Sequence, residues 1–114
     1  MPEDELLQGL ITDLRRGMLV LAVLASLEQP KYGYALLQDM QAKGIRIEAN
    51  TLYPLLRRLE AQGLLLSEWD TTESRPRKYY SVSARGRVLF DRLRAEWQQI
   101  TQTMQALLGE DEPR

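Results

Sequence analysis

The chain has 114 residues and a net charge of −1, which is the size of one folded domain with a modest core. It contains no cysteine and no histidine, and this excludes disulfide scaffolds, Cys/His metal centres and catalysis by a thiol or an imidazole. We expect no enzyme activity, no metal and no cofactor, because the remaining reactive groups would have to converge in a pocket that so small a chain can scarcely enclose.

The charged residues are distributed unevenly along the chain. Acidic side chains are concentrated at the two ends, whereas the segment from residue 75 to residue 94 contains seven basic residues and one acidic residue. Such a local excess of positive charge can meet DNA phosphates even when the whole chain is nearly neutral.

The first predicted helical region covers residues 2–27, where apolar residues recur at steps of three and four. Gly17 interrupts it, so we expect one long helix or two in line, ending before Pro30. The apolar run after Arg15-Arg16 has the look of a signal peptide, but it is too short to span a bilayer and acidic residues precede it. We interpret it as a core helix and expect a cytoplasmic protein that is not associated with a membrane.

Two further helices are predicted in the next part of the chain. The first covers residues 33–42 and stops at Gly44. Alternation of apolar and polar residues over 45–47 predicts a three-residue strand after it. The following helix, residues 49–62, is the clearest, because four leucines form a buried stripe: Leu52, Leu55, Leu56 and Leu59.

The opposite face of this third helix is the informative one. It carries Asn50, Tyr53, Pro54, Arg57 and Ala61, so an amide, an aromatic ring and a guanidinium point outward together. Contact with base edges and phosphates requires groups such as a hydroxyl and a guanidinium, held on a rigid helix. The alternative is an ordinary solvated face with Tyr53 at the edge of the core.

A β-hairpin and a long helix complete the chain. Strands are predicted at residues 64–70 and 77–82 with a polar, turn-rich connection, and Ser83 caps a helix over residues 84–108. Basic residues at the hairpin tip can attract backbone phosphates. The alternative is that these side chains are simply exposed to solvent and bind nothing. Apolar residues of the last helix follow a 4-3-4-3 spacing, which predicts a dimer seam: Leu93, Trp97, Ile100, Met104 and Leu107.

The order helix, helix, short strand, helix, hairpin, long helix is typical of a winged helix-turn-helix, whose third helix enters the DNA major groove while the hairpin lies on the backbone. We predict a mainly α fold with a small β-hairpin wing, in which residues 1–82 form the DNA-binding domain and residues 83–114 the dimerisation helix and an acidic tail. The candidate DNA-binding residues are Lys31, Tyr32, Asn50, Thr51, Tyr53, Arg57, Arg75, Arg77 and Lys78.

The residues also resemble the PadR-type winged-helix transcriptional regulators over about residues 14–97. The most specific part is TLYPLLRRLE at residues 51–60 with Gly63-Leu64, and Tyr32-Gly33-Tyr34, Trp69 and RPRKYY at residues 75–80 support it. The resemblance implies a dimeric DNA-binding regulator, commonly a repressor, whose C-terminal helix forms the dimer interface and which often responds to small aromatic molecules.

The chain departs from the family pattern in two places. Members often carry Ser-Pro-Gly before the Thr-Leu-Tyr, where this chain has Glu48-Ala49-Asn50, so the cap and first turn of the third helix differ. The hairpin tip lacks the paired glycines of many members. The single long C-terminal helix matches the shorter branch of the family.

Two questions stay open at this point. Trp97 can be a dimer core residue or a stacking surface for a planar aromatic effector between two subunits. The protein as a whole is best interpreted as a homodimeric repressor that binds double-stranded DNA at a pseudo-palindromic operator. The alternative is a dimeric winged-helix module that binds another protein and has no role at DNA.

Overall fold

The computed structural model describes residues 2–110, so most of the predicted acidic tail lies outside the described residues. Within this range the chain forms five helices and three strands. In chain order they are α1 (Glu3–Arg16), α2 (Met18–Ser26), β1 (Lys31–Tyr32), α3 (Gly33–Ala42), α4 (Ala49–Ala61), β2 (Leu65–Asp70), β3 (Arg77–Val82) and α5 (Ala84–Leu107).

The N-terminal region consists of two helices, which was one of the two predicted arrangements. Gly17 between them keeps right-handed helical angles, with φ −68° and ψ −29°, so the interruption is confined to one residue. The apolar run in α2 is a core helix as expected, because Val23 and Leu24 are buried. No helix within residues 2–110 combines the length and apolar character that crossing a bilayer requires.

The prediction of a strand at residues 45–47 was wrong. These residues pair with no strand among the described residues and lead from α3 into α4. Ile47 is buried and Ile45 packs against the core, so the alternation reflects burial of two side chains in a connection. The short strand lies instead before α3, where Lys31 is opposite Tyr80 and Tyr32 is opposite Tyr79.

The predicted hairpin is confirmed and forms the larger part of a three-stranded antiparallel sheet. β2 and β3 pair from Leu65 opposite Val82 to Asp70 opposite Arg77. β3 is the central strand, with β1 on its other side. Because β1 immediately precedes α3, this pairing attaches the wing to the beginning of that helix.

The core lies between α2, α3, α4 and the base of the sheet. All four leucines of the predicted α4 stripe are buried. The other fully buried large side chains come from the neighbouring elements and are Val23, Leu27, Leu36, Met40 and Leu65.

The beginning of α5 is anchored to the base of the hairpin. The Ser83 hydroxyl accepts a hydrogen bond from the Gly86 N–H at 2.9 Å, which confirms the predicted cap, and donates one to the Gly63 carbonyl at 2.6 Å. Gly86 packs directly against the Leu64 carbonyl, so that a Cβ at this position would overlap it. The anchor sets the direction in which α5 leaves the winged-helix unit.

Candidate functional site

The outward face of α4 is polar, as its sequence predicts. Asn50, Thr51, Pro54 and Arg57 are exposed. Pro54 lies in the helix interior, five residues after Ala49, and so the Asn50 carbonyl has no intrahelical donor. Glu48 precedes the helix, and its side chain makes no capping hydrogen bond.

Tyr53 lies on one flank of this face and is half-buried against the core. Its ring packs on Gly33 at the beginning of α3, and the Cε1 atom is only 2.7 Å from the position that a Cβ on Gly33 would occupy. Glycine is required for this close approach of α3 and α4. Tyr53 therefore has the position at the edge of the core that was its alternative interpretation, and its contact with DNA stays a prediction.

Tyr32 is connected to the wing rather than free. Its hydroxyl donates a hydrogen bond to Asp70 Oδ2 at 2.6 Å, and its ring packs against Tyr79 with centroids 4.1 Å apart. The Asp70 carboxylate also accepts bonds from the backbone N–H and the hydroxyl of Thr72, at 3.0 and 2.7 Å. We call these three residues, Tyr32, Asp70 and Thr72, the wing latch, because they join β1 to the hairpin loop.

The hydrogen bonds of the wing latch shift the pKa values of Asp70 and Tyr32 in opposite directions. The hydrogen bond from Tyr32, followed by those from Thr72, lowers the pKa of Asp70 to about 2. The same bond raises the pKa of the Tyr32 hydroxyl well above its ordinary value. Both shifts favour the donor–acceptor pair that forms the latch, so it stays intact throughout the neutral range.

The basic residues of the wing have different surroundings. Arg75 is exposed and makes no ion pair with any residue in the described part of the chain. Arg77 pairs with Glu73 at 3.5 Å and its guanidinium lies 5.0 Å from the centroid of the Tyr32 ring. Both guanidinium groups remain at the surface, where a phosphate can reach them.

Lys78 is half-buried and joins the wing to the end of α4. Its ammonium lies 3.4 Å from Glu60 Oε1 and 5.5 Å from the centroid of the Tyr80 ring. The other Glu60 oxygen accepts a hydrogen bond from the Ser67 hydroxyl. The bond from Ser67 and then that from Lys78 lower the pKa of Glu60 despite its partial burial. Lys78 thus stabilises the angle between α4 and the sheet.

Lys31 is also engaged within the chain. Its ammonium donates to the Ser26 carbonyl at 2.6 Å and to Asp39 at 2.9 Å. Lys43 shares the same carboxylate at 3.3 Å, and these two lysines, Lys31 first, lower the pKa of Asp39. The ion pairs of Lys31 with Asp39 and of Lys78 with Glu60 join side chains on different elements, so sequence reasoning missed them. The contacts of Lys31 and Lys78 with DNA stay predictions.

The predicted seam on α5 is exposed in the single chain, so a second molecule can reach it. Leu93, Trp97, Ile100, Met104 and Leu107 are all exposed, with Trp97 at 46%. α1 carries a second apolar stripe of exposed leucines, which are Leu6, Leu7, Leu10 and Leu14. The spacing of these leucines predicts a helix but indicates no role for the stripe. We call the two stripes together the α1–α5 face.

The two stripes meet at a cavity of about 390 Å³. Leu14 and Leu21 line it on one side, and Leu93, Trp97 and Ile100 line it on the other. Glu96 is the one acidic side chain that lines it among the described residues. The cavity is therefore apolar, opens beside the Trp97 ring and belongs to the α1–α5 face.

Comparison with known proteins identifies the family. The family model described as "Transcriptional regulator PadR-like family" matches residues 20–92. A crystal structure of a PadR family transcriptional regulator from Eggerthella lenta is similar with a TM-score of 0.87 and 46% identity, covering 95% of this chain and 96% of that one. A transcriptional regulator from Clostridium thermocellum has a TM-score of 0.76 and 26% identity, covering 82% and 96% of the two chains.

One curated relative is similar in sequence over a shorter segment. The transcriptional regulator Rv3488 of Mycobacterium tuberculosis is 43% identical over 56 residues, which is 49% of this chain and 52% of that protein. The chain thus matches about half the length of this relative. The family consists of regulators rather than enzymes, and its winged-helix fold is the one described above. This chain belongs to the PadR-like family of transcriptional regulators.

Proposed function

We propose that the protein is a homodimeric repressor that binds a pseudo-palindromic operator with sequence specificity. The observation that carries the proposal is the exposed polar face of α4, with Asn50, Thr51 and Arg57, beside a wing whose Arg75 and Arg77 remain at the surface. A helix with such a face fits the major groove, while wing cations meet the adjacent backbone. A regulator that acts on the chromosome would work in the cytoplasm.

The second subunit of the proposed dimer would cover the α1–α5 face. Exposed apolar stripes on two helices are more than the scattered surface hydrophobic residues of a typical monomer. A heptad seam can pair with its own copy about a two-fold axis. Residues 1–82 would then form the DNA-binding domain. Residues 83–114 would make most of the dimer contacts, to which α1 of the DNA-binding domain would also contribute. Two-fold symmetry of the protein predicts two-fold symmetry of the operator.

The cavity beside Trp97 supports a place for a small effector. Its volume of about 390 Å³ is in the range of small-molecule sites, and an indole face offers stacking to a planar aromatic compound. A ligand there would lie between α5 and the end of α1. It could therefore change the relative position of the two DNA-binding units in the dimer. Trp97 would serve both the dimer and the effector.

The test begins with selection of duplex fragments by the purified protein at two salt concentrations, read out by sequencing. A short inverted repeat that survives the higher salt is expected. Arg57→Ala should then lower operator affinity and relax the preference at one base pair of each half-site, because each bidentate base contact contributes about 1–3 kcal/mol of discrimination. Arg75→Ala should weaken binding to all sequences alike, because it contacts phosphate.

If the protein binds no duplex in a salt-dependent manner, DNA binding is wrong and a protein-interaction module becomes the better interpretation. If Arg57→Ala leaves both affinity and preference unchanged, α4 is not the element that recognises bases.

A further inference from the structure

The recognition helix α4 has two flanks with different neighbours. At 100° per residue, Tyr53 and Glu60 lie on one side of the exposed face, and Thr51 and Arg58 lie on the other. The first flank faces α3 and the wing, through the contact of Tyr53 with Gly33 and that of Glu60 with Lys78. The second flank faces the junction of α1 and α2, where Thr51 and Arg58 share a groove with Arg16.

Arginines are gathered on this second flank. Arg16 and Arg58 line the groove that also contains Asn50 and Thr51. Arg15, Arg16 and Arg46 line the adjoining groove between α1 and the connection from α3 to α4. Glu48 is the one acidic side chain lining either groove within residues 2–110, so the flank as a whole is strongly positive.

Among residues 2–110, few acidic side chains compensate the charges of these arginines. Arg46 and Arg58 are exposed and make no ion pair with another described residue. Arg16 pairs with Asp13 at 3.6 Å, but both side chains are mostly exposed. An exposed pair of this kind contributes little to stability, so a phosphate can replace the carboxylate. The surface is therefore available to an anionic partner.

We propose that Arg16, Arg46 and Arg58 bind phosphates of the DNA backbone on the side of the major groove opposite to the wing. The inference rests on the proposed function. A helix in the major groove, which is about 12 Å wide, has one backbone on each of its sides. The wing cations meet one of them, and the three arginines meet the other. Guanidinium groups are suited to this contact because they bind phosphate oxygens in a bidentate manner.

The test measures how binding depends on salt. Arg16→Gln, Arg46→Gln, Arg58→Gln and the triple variant are compared with the wild-type protein on the duplex that the wild type selects. Each phosphate contact contributes about 0.9 to the slope of log K against log salt, so each single variant should reduce the slope by about 2 in a dimer. From 50 to 200 mM salt, the affinity loss of the triple variant should be about a thousandfold smaller than that of the wild type.

Gln102→Glu is the matched control. It lowers the net charge by the same one unit at an exposed position on α5, outside the basic segment of residues 75–94, and should change the slope by less than half as much as a single flank variant does. Circular dichroism and the Tm should be unchanged for all these variants, because the replaced side chains lie at the surface. Ethylation interference gives a second readout, in which Arg16→Gln loses sensitive phosphates on one backbone and Arg75→Gln loses those on the other.

The outcomes separate this inference from the proposed function. If the wild type binds an inverted repeat but the flank variants behave as Gln102→Glu does, the inference is overturned and the proposed function stands. If a flank variant changes sequence preference rather than salt slope, the arginines contact bases and the inference is likewise wrong. If the wild type binds no duplex at all, both fall together.

Discussion

Two leucine-rich regions of this chain end in opposite environments. In the winged-helix core, Leu36, Leu52 and Leu56 are completely buried by neighbours from the same chain. On the α1–α5 face, Leu14 is 80% exposed and Ile100 50% exposed, although both lie on helices with equally regular apolar spacing. The spacing of apolar residues shows that a helix has a face to bury, but it does not show whether the covering partner lies in the same chain.

The difference has an energetic consequence. Burial of a leucine or isoleucine contributes about 1.5–3 kcal/mol, and the core obtains this contribution when one chain folds. In the proposed dimer, the α1–α5 face would obtain it when a second copy associates. Stability of the core should accordingly be independent of protein concentration, whereas any contribution of the α1–α5 face should depend on it.

The largest effect is expected from Leu56→Ala. Removal of a fully buried leucine side chain should lower the free energy of unfolding by about 2–5 kcal/mol, because the surrounding residues only partly fill the cavity. Urea denaturation at several protein concentrations measures it. Leu10→Ala deletes the same atoms from the α1–α5 face and is the matched control. If Leu56→Ala shows no greater loss at high dilution than Leu10→Ala, the division into two regions is wrong.

The next effect concerns the α1–α5 face. Ile100→Asp places a charge at the centre of the seam and should raise the dissociation constant of the dimer about 30-fold or more, which corresponds to the 2 kcal/mol typical of a residue important for binding. Sedimentation velocity over a dilution series measures it. Gln102→Asp adds the same charge on the opposite side of α5 and should leave assembly unchanged. Equal assembly of both variants would remove the support for a dimer through this face.

The smallest effect concerns the wing latch, whose contacts lie within one chain. The pKa of Asp70 is about 2 in the folded protein, below the ordinary 3.8. Its stabilising contribution is therefore complete above about pH 5 and disappears as the pH falls from about 4 towards 2. The stability difference between wild type and Asp70→Asn, from urea denaturation across this range, should shrink accordingly and be independent of concentration.

Tyr32→Phe is the control for this pH dependence. It removes the hydroxyl that makes the largest contribution to the low pKa of Asp70 and retains the ring that packs against Tyr79. The acid-dependent part of the stability should become smaller in this variant. A pH dependence equal to that of the wild type would show that the bond from Tyr32 does not determine the titration of Asp70.

The elements that carry most of the candidate residues were predicted, whereas the bonds that these residues make were not. The exposed face of α4 follows from helical geometry, because residues three and four apart share a side. The bonds of Lys31 to Ser26 and Asp39, and that of Lys78 to Glu60, join side chains on different elements. No periodicity reports such bonds. Two of the nine candidate residues, Lys31 and Lys78, are consequently engaged in ion pairs between different elements that the sequence could not reveal.

Local periodicity, caps and turn residues were enough to predict the helices α3, α4 and α5, the hairpin and the polar face of α4. Packing between elements was needed to place β1, to bury Ile47 without a strand and to bring the two stripes together at Trp97. It also brings Arg16, Arg46 and Arg58 together beside α4. The reason is that these features join residues distant in sequence, whose proximity depends on the packing of whole elements.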